Sequence, residues 1–335
     1  MSASLVIAPQ WIGDAVMTEP LLRRLHARGE RLAVGALPRV APVYRAMPQV
    51  DEVIELPFRH GGLQFRERRA LGKQLHGRFD TAYVLPNSLK SALLPLLAGI
   101  PRRVGYLGES RVGLLTHRLK NPKGKPPMVA FYSALSGEPG IEQDTPRLQL
   151  QAGFIAEVLQ RHGLAQGGYI VMAPGAEFGP AKRWPHFGEL AASLRQPVLL
   201  LGSGKESELC EAIRAQSAGD CRNLAGKTSL EEAFALIAGA GSVVSNDSGL
   251  MHVAAAFGVQ QVALFGSSSP LHTPPLNPQA QVVWLKQAPD YLPPLDCSPC
   301  FERECPLGHF RCLVDVTPGR VAQLLPSAAA TASPG

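Results

Sequence analysis

Short apolar runs alternate with amphipathic stretches twice over along this chain, and that pattern folds as βαβ units on parallel sheets. In the first half, residues 4–8, 31–37, 52–56 and 81–85 read as strands, with helices at 16–27, 40–47, 65–77 and 88–97. The stretch 121–143, rich in Pro, Gly and Lys, has no period and reads as a loop, while 148–162 has helical spacing that Gly163 ends. A second alternation follows. Its strands are predicted at 169–173, 197–201, 221–224, 242–245, 262–265 and 282–285, and its helices at 186–194, 206–218, 230–238, 250–257 and 318–325. Two doubly wound α/β domains are therefore expected, Rossmann-like over 1–160 and 161–325, with a frayed tail over 326–335. Ligands of such sheets bind beyond the carboxyl ends of the strands. With two facing sheets, that places the chemistry on strand-end loops in an interdomain cleft.

A length of 335 residues and a 45% hydrophobic content suffice for two buried cores, and the 18% charged content excludes a disordered chain. The opening MSASLVIAPQ lacks the basic region and cleavage site of a signal peptide. The longest apolar stretch, 89–101, is short and interrupted by Lys90, Pro95 and Gly99, so a soluble cytoplasmic protein is expected. The net charge of +6 is lopsided, +9 over residues 1–150 and −3 over 151–335. Between Arg59 and Lys125 stand 14 basic and 3 acidic residues, a surface that suits an anionic partner or simply a solvated face.

Three strand-end loops carry chemistry. After the first strand comes PQWIGDAVM, which sets Asp14 at a helix start, as a capping carboxylate or as a general base. After the strand YIVMA comes PGAEFGPAKRWP, whose small residues let backbone N–H groups approach an anion. Lys182 there either adds a charge to a phosphate or faces solvent. After SVVS come Asn246, Asp247, Ser248 and Gly249, opening the helix LMHVAAAFG. The free N–H groups of a helix start favour a diphosphate, and His252 sits one turn in, at i+4 from Ser248. Singly, Asp247 or Ser248 would be a plain N-cap and His252 a packed helix residue. No Asp-x-Asp motif occurs, so charge on a leaving diphosphate falls to Lys182 and the helix N-terminus.

PQWIGDAVM, LPNSLKSALLPLLAGIPRRVGY, PGAEFGPAKRWP and SNDSGLMHVAAAFG together closely resemble the ADP-heptose–lipopolysaccharide heptosyltransferases of glycosyltransferase family 9, type II above all. The similarity runs from residue 5 to about 320. It implies a GT-B fold, an inverting single displacement from ADP-heptose, no catalytic metal, and the first heptose of a Kdo-lipid A inner core as acceptor. By motif position it implies Asp14 as general base and Lys182 as donor-phosphate lysine. Asp247, Ser248, Gly249 and His252 fall in the donor-binding segment; Glu206 (or Glu208) would contact the adenosine ribose, and Thr228 would line the nucleotide. Lys90, Arg102 and Arg103 would hold acceptor phosphates and carboxylates, with Asn87 and Ser88 on acceptor hydroxyls or in a turn capping the next helix. Contact with the cytoplasmic face of the inner membrane is then expected, and nucleic acid is not.

The resemblance does not explain Cys297, Cys300, Cys305 and Cys312 in DCSPCFERECPLGHFRCL, with His309 among them. Such spacing encloses one structural Zn²⁺ or, less readily, an iron–sulfur cluster; otherwise the thiols merely stay reduced. Cys210 and Cys221 read as buried thiols. Two other classes remain on these observations: a GT-B transferase or epimerase using another nucleotide sugar, and a basic nucleic-acid-binding protein with a zinc knuckle. The second lacks aromatic interleaving, aromatics being 6%. A dehydrogenase is disfavoured, because APQWIGDAV lacks the glycine fingerprint.

Overall fold

The computed structural model describes residues 2–59, 62–141 and 144–326. Of the predicted tail, 327–335 lie outside the described residues. The chain divides into two compact units, Met1–Gln149 and Leu150–Gly335. The helix Ala152–Arg161 packs on the helix Leu230–Ala238 and so joins the second unit, about ten residues before the boundary expected at 160.

The first unit holds β1 (Ala3–Ile7), β2 (Arg31–Ala36), β3 (Glu52–Glu55), β4 (Thr81–Val84), β5 (Arg102–Tyr106) and β6 (His117–Leu119). They form a wholly parallel sheet in the order β3-β2-β1-β4-β5-β6. The second unit holds β7 (Ile170–Ala173), β8 (Val198–Leu200), β9 (Cys221–Asn223), β10 (Ser242–Asn246), β11 (Gln261–Phe265) and β12 (Ala280–Trp284). These are again all parallel, in the order β12-β11-β10-β7-β8-β9. Numbered within its own unit, each sheet runs 3-2-1-4-5-6, the Rossmann order. Strand order reverses between β1 and β4 and between β7 and β10, and at those two points adjacent strand-end loops diverge to leave a crevice.

Helices on both faces explain why β7 and β11 are buried at every residue and carry almost no alternation. Leu5, Ile7, Leu75, Val84 and Ile100 anchor the first core; Phe187, Leu200, Val262 and Leu313 anchor the second. Each such side chain contributes about 1.5–3 kcal/mol by leaving water.

Three local departures from the sequence pattern have physical causes. The helix expected at 16–27 is two, Ile12–Met17 and Glu19–Ala27, because Pro20 lacks an N–H and must sit in a first turn. β5 opens on the polar pair Arg102–Arg103, and β6, HRL, is the half-exposed edge strand, so no apolar run announces either. Within the stretch read as loop, Met128–Ser133 is a helix, its Pro127 at the N-cap. Among the described residues no helix is long and apolar enough to cross a membrane.

Candidate active site

In the first unit the loops after β1 and β4 enclose a hollow of about 590 Å³, lined by Gln10, Trp11, Asp14, Asn87, Lys90 and Tyr132 among others. Asp14 lies in the first turn of Ile12–Met17, where Trp11 occupies the N-cap position and its side chain makes no capping bond. The carboxylate accepts from Tyr132 Oη at 3.0 Å. Burial first, and then the Asp14 charge, hold the Tyr132 phenol pKa well above its usual value, so its proton stays on the oxygen. Trp11 is 47% exposed, with the Arg39 guanidinium 5.0 Å from its ring centroid.

Asn87 and Ser88 line the hollow, and neither serves as a plain cap. Ser88 makes no capping bond to the helix Leu89–Leu97. Asn87 Oδ1 accepts from Arg111 at 3.0 Å. Arg111 is fully buried and also donates to the carbonyls of Pro86 (2.5 Å) and Tyr106 (3.0 and 2.5 Å). Burial pulls its pKa below the ordinary arginine value. One guanidinium therefore shapes the loop after β4, a role for which the sequence holds no signal.

Arg102 and Arg103 are not at this hollow. They open β5, at the amino edge of the sheet opposite Thr81 and Ala82, while the hollow lies past the carboxyl edge. Four strand steps separate the two edges, about 13 Å. The Arg103 guanidinium is spent on the carbonyls of Leu114 and Ile100, each at 2.6 Å. Lys90 alone of the three predicted cations lines the hollow.

In the second unit Asn246 ties the two switch-point loops together: its Nδ2 donates to Pro174 O (2.7 Å) and its Oδ1 accepts from Trp184 N (3.0 Å). This brings Lys182 to Asp247, Nζ to Oδ2, at 2.5 Å. Thr273 makes a long contact, 3.5 Å, to the other Asp247 oxygen. Ser248 is the N-cap of Gly249–Ala256, yet its side chain makes no capping bond, and its hydroxyl is buried without a partner among the described residues. His252 is buried beside them. Burial, the largest influence, pushes its pKa down to about 4, with Asp247 opposing and Lys182 assisting, so the imidazole is neutral at pH 7.

Glu206 closes a capping box with Ser203, accepting from its N (2.7 Å) and Oγ (3.0 Å). Its carboxylate lies so close to Gly175 that a Cβ there would stand 1.6 Å from Oε1. Glu206 thus reaches the loop after β7. The loop leading to Thr228 lies beside it, Gly226 N donating to Gly202 O at 3.0 Å. Glu208, the alternative, sits in the first turn of Ser207–Arg214.

Cys297, Cys300, Cys305 and Cys312 line one cavity of about 20 Å³. They are free thiols. Among the described residues no three His, Cys, Asp or Glu side chains stand in metal-ligating geometry. The predicted ligand shell is therefore not assembled: the Cys305 sulfur accepts from Phe310 N (3.4 Å), and Cys312 packs against Gly266. Cys210 and Cys221 are buried, and burial pushes the Cys210 thiol up to about 12.

Two sheets of one strand order, the first ending in a carboxylate-bearing hollow and the second in a Lys182–Asp247 pair at a helix start, define an α/β protein of the GT-B class. Residues 68–311 match glycosyltransferase family 9 (heptosyltransferase). Lipopolysaccharide heptosyltransferase 2 of Escherichia coli K12 is 42% identical over 344 residues, 96% of this chain and 97% of the relative. That of Salmonella typhimurium is 40% identical over 346 residues, again 96% and 97%. The solved structure of the E. coli ADP-heptose LPS heptosyltransferase II superposes with a TM-score of 0.82 at 41% identity, covering 97% of each chain. A family 9 structure from Veillonella parvula, 21% identical, shares the fold with a TM-score of 0.74 over 84% of this chain and 85% of its own. The chain belongs to glycosyltransferase family 9 and is a glycosyltransferase.

Proposed function

We propose that this enzyme transfers a heptose from ADP-heptose to the first heptose of the lipopolysaccharide inner core, with inversion and without a catalytic metal. The observation that carries the reading is the cluster at the β7–β10 reversal. Lys182, held on Asp247, keeps further ammonium N–H donors, and beside it lie the unpartnered Ser248 hydroxyl and the N-terminus of Gly249–Ala256. That set of donors suits a diphosphate and needs no cation of its own. His252, neutral, adds a hydrogen bond without charge. Glu206 and Thr228, on the neighbouring strand-end loops, would meet the adenosine.

Asp14 takes the proton of the acceptor hydroxyl as its oxygen attacks the anomeric carbon. The bond from that carbon to the diphosphate oxygen breaks, and the electron pair leaves with ADP, its charge met by Lys182 and the helix N-terminus. Asn87, Ser88 and Lys90, in the Asp14 hollow, would hold the acceptor. The basic stretch 59–125 supports peripheral contact with an anionic membrane surface.

Incubation with ADP-heptose and a heptosyl-Kdo acceptor, followed by mass spectrometry, is expected to show gain of one heptosyl unit with inverted anomeric configuration. Transfer that requires a divalent ion, or a larger thermal shift with UDP or GDP than with ADP, overturns the donor chemistry. A structural zinc drawing in the four thiols is the second reading, supported by their spacing and common cavity. Fresh protein carrying less than about three-tenths of an equivalent of zinc rejects that reading.

A further inference from the structure

The segment 297–312 carries four thiols that the transfer reaction does not use, and it reaches two strand-end loops of the second sheet. Arg303 O accepts from Ala181 N at 3.1 Å, one residue before Lys182, and Arg303 Nε donates to Phe178 O at 2.7 Å. Nearer its start, Phe301 N donates to Ser267 O (2.7 Å) and Ser298 Oγ to Gly266 O (2.8 Å), in the loop after β11. At Gly179, φ is 146°, and a Cβ would stand 2.4 Å from Arg303 O, so only glycine lets the two backbones meet. Both the Arg303 guanidinium and the Lys182 ammonium lie over the Phe178 ring, 5.5 and 5.0 Å from its centroid. Ala181 shares with the four cysteines the wall of the 20 Å³ cavity, which has room for about one water-sized occupant.

Between Gln287 and Arg311 the segment has no helix or strand of its own among the described residues, so its shape depends on these contacts. The loop it meets is equally short of self-support: Pro180–Lys182 is a single 3₁₀ turn inside a Gly/Pro-rich string. We propose that 297–312 is a strap that sets the position of Lys182, with Arg303 as the positioning residue and the thiol cluster as the anchor holding Arg303 in place. The proposal rests on the reading of Lys182 as donor-phosphate lysine. Without the strap the ammonium swings away from the diphosphate, and donor affinity falls while acceptor affinity does not.

The test is calorimetric ADP binding to Arg303→Ala and to the double variant Cys300→Ser/Cys305→Ser, each made in wild-type and Lys182→Ala backgrounds. Arg303 is exposed, so its truncation leaves the fold intact. Each strap variant is expected to weaken ADP roughly ten-fold in the wild-type background and less than about two-fold once Lys182 is gone, a non-additivity that general destabilisation does not produce. Acceptor KM should not move. Equal losses in both backgrounds, or no loss from Arg303→Ala where Lys182→Ala alone weakens ADP, overturn the strap. ADP affinity untouched by Lys182→Ala overturns the donor-lysine reading itself, and the strap with it.

Discussion

Asp14 could be recognised from its place after the first strand, but what holds it could not. Tyr132, its hydrogen-bond partner, lies 118 residues away, on a helix inside a stretch with no legible period. Asp14→Asn is expected to preserve the fold and ADP affinity and to lower transfer by about 10²-fold or more, the share typical of a general base; a variant keeping a tenth of wild-type rate refutes the role. His252 shows the converse case, a residue that was legible but whose charge state was not. Its folded pKa of about 4 lies below the ordinary 6.5, so protonation favours the unfolded chain, and stability is lost as pH falls from about 6.5 towards 4. At pH 5 the loss should be about 2 kcal/mol. Urea titrations at pH 7.5 and 5 check this: His252→Gln should shrink the difference between them, and an unchanged difference refutes it.

At the scale of elements, βαβ periodicity located the strands that matter, because β1, β4, β7 and β10 are apolar and central. Position along a strand was the harder quantity. Arg102 and Arg103 stand in the matching motif in sequence, yet one strand length carries them to the edge away from the Asp14 hollow. Arg111, a few residues past the end of that strand, is the cation that shapes the loop after β4. Arg111→Met would strip the buried Tyr106 carbonyl of its guanidinium donors, at about 1–3 kcal/mol, while Pro86 O keeps Ser91 Oγ (3.1 Å) and the exposed Asn87 can meet water. A fall in the urea midpoint, with a raised acceptor KM and unchanged ADP affinity, is the expected outcome; an acceptor KM equal to wild type would detach the loop from acceptor binding.

For the whole molecule, the charge imbalance between the halves separates two kinds of binding. The first half, at +9, should hold an anionic glycolipid acceptor in a strongly salt-dependent manner. The proposed donor site around Lys182 and Asp247 is a compact set of short contacts, which salt screens less. Raising salt from about 50 to 300 mM should therefore raise acceptor KM several-fold more than ADP Kd. Kinetics and calorimetry at the two salt levels test this, and parallel shifts would contradict it. Sedimentation with anionic vesicles should show the same sensitivity.

Both sheets reverse their strand order at the same place, and this bears on how such enzymes diversify. Each crevice is built from loops belonging to one sheet alone, so mutations that retune one recognition event need not disturb the other. With acceptor and donor sites as proposed, a lineage could acquire a new sugar acceptor by editing the turns after β1 and β4 while inheriting its nucleotide preference unchanged.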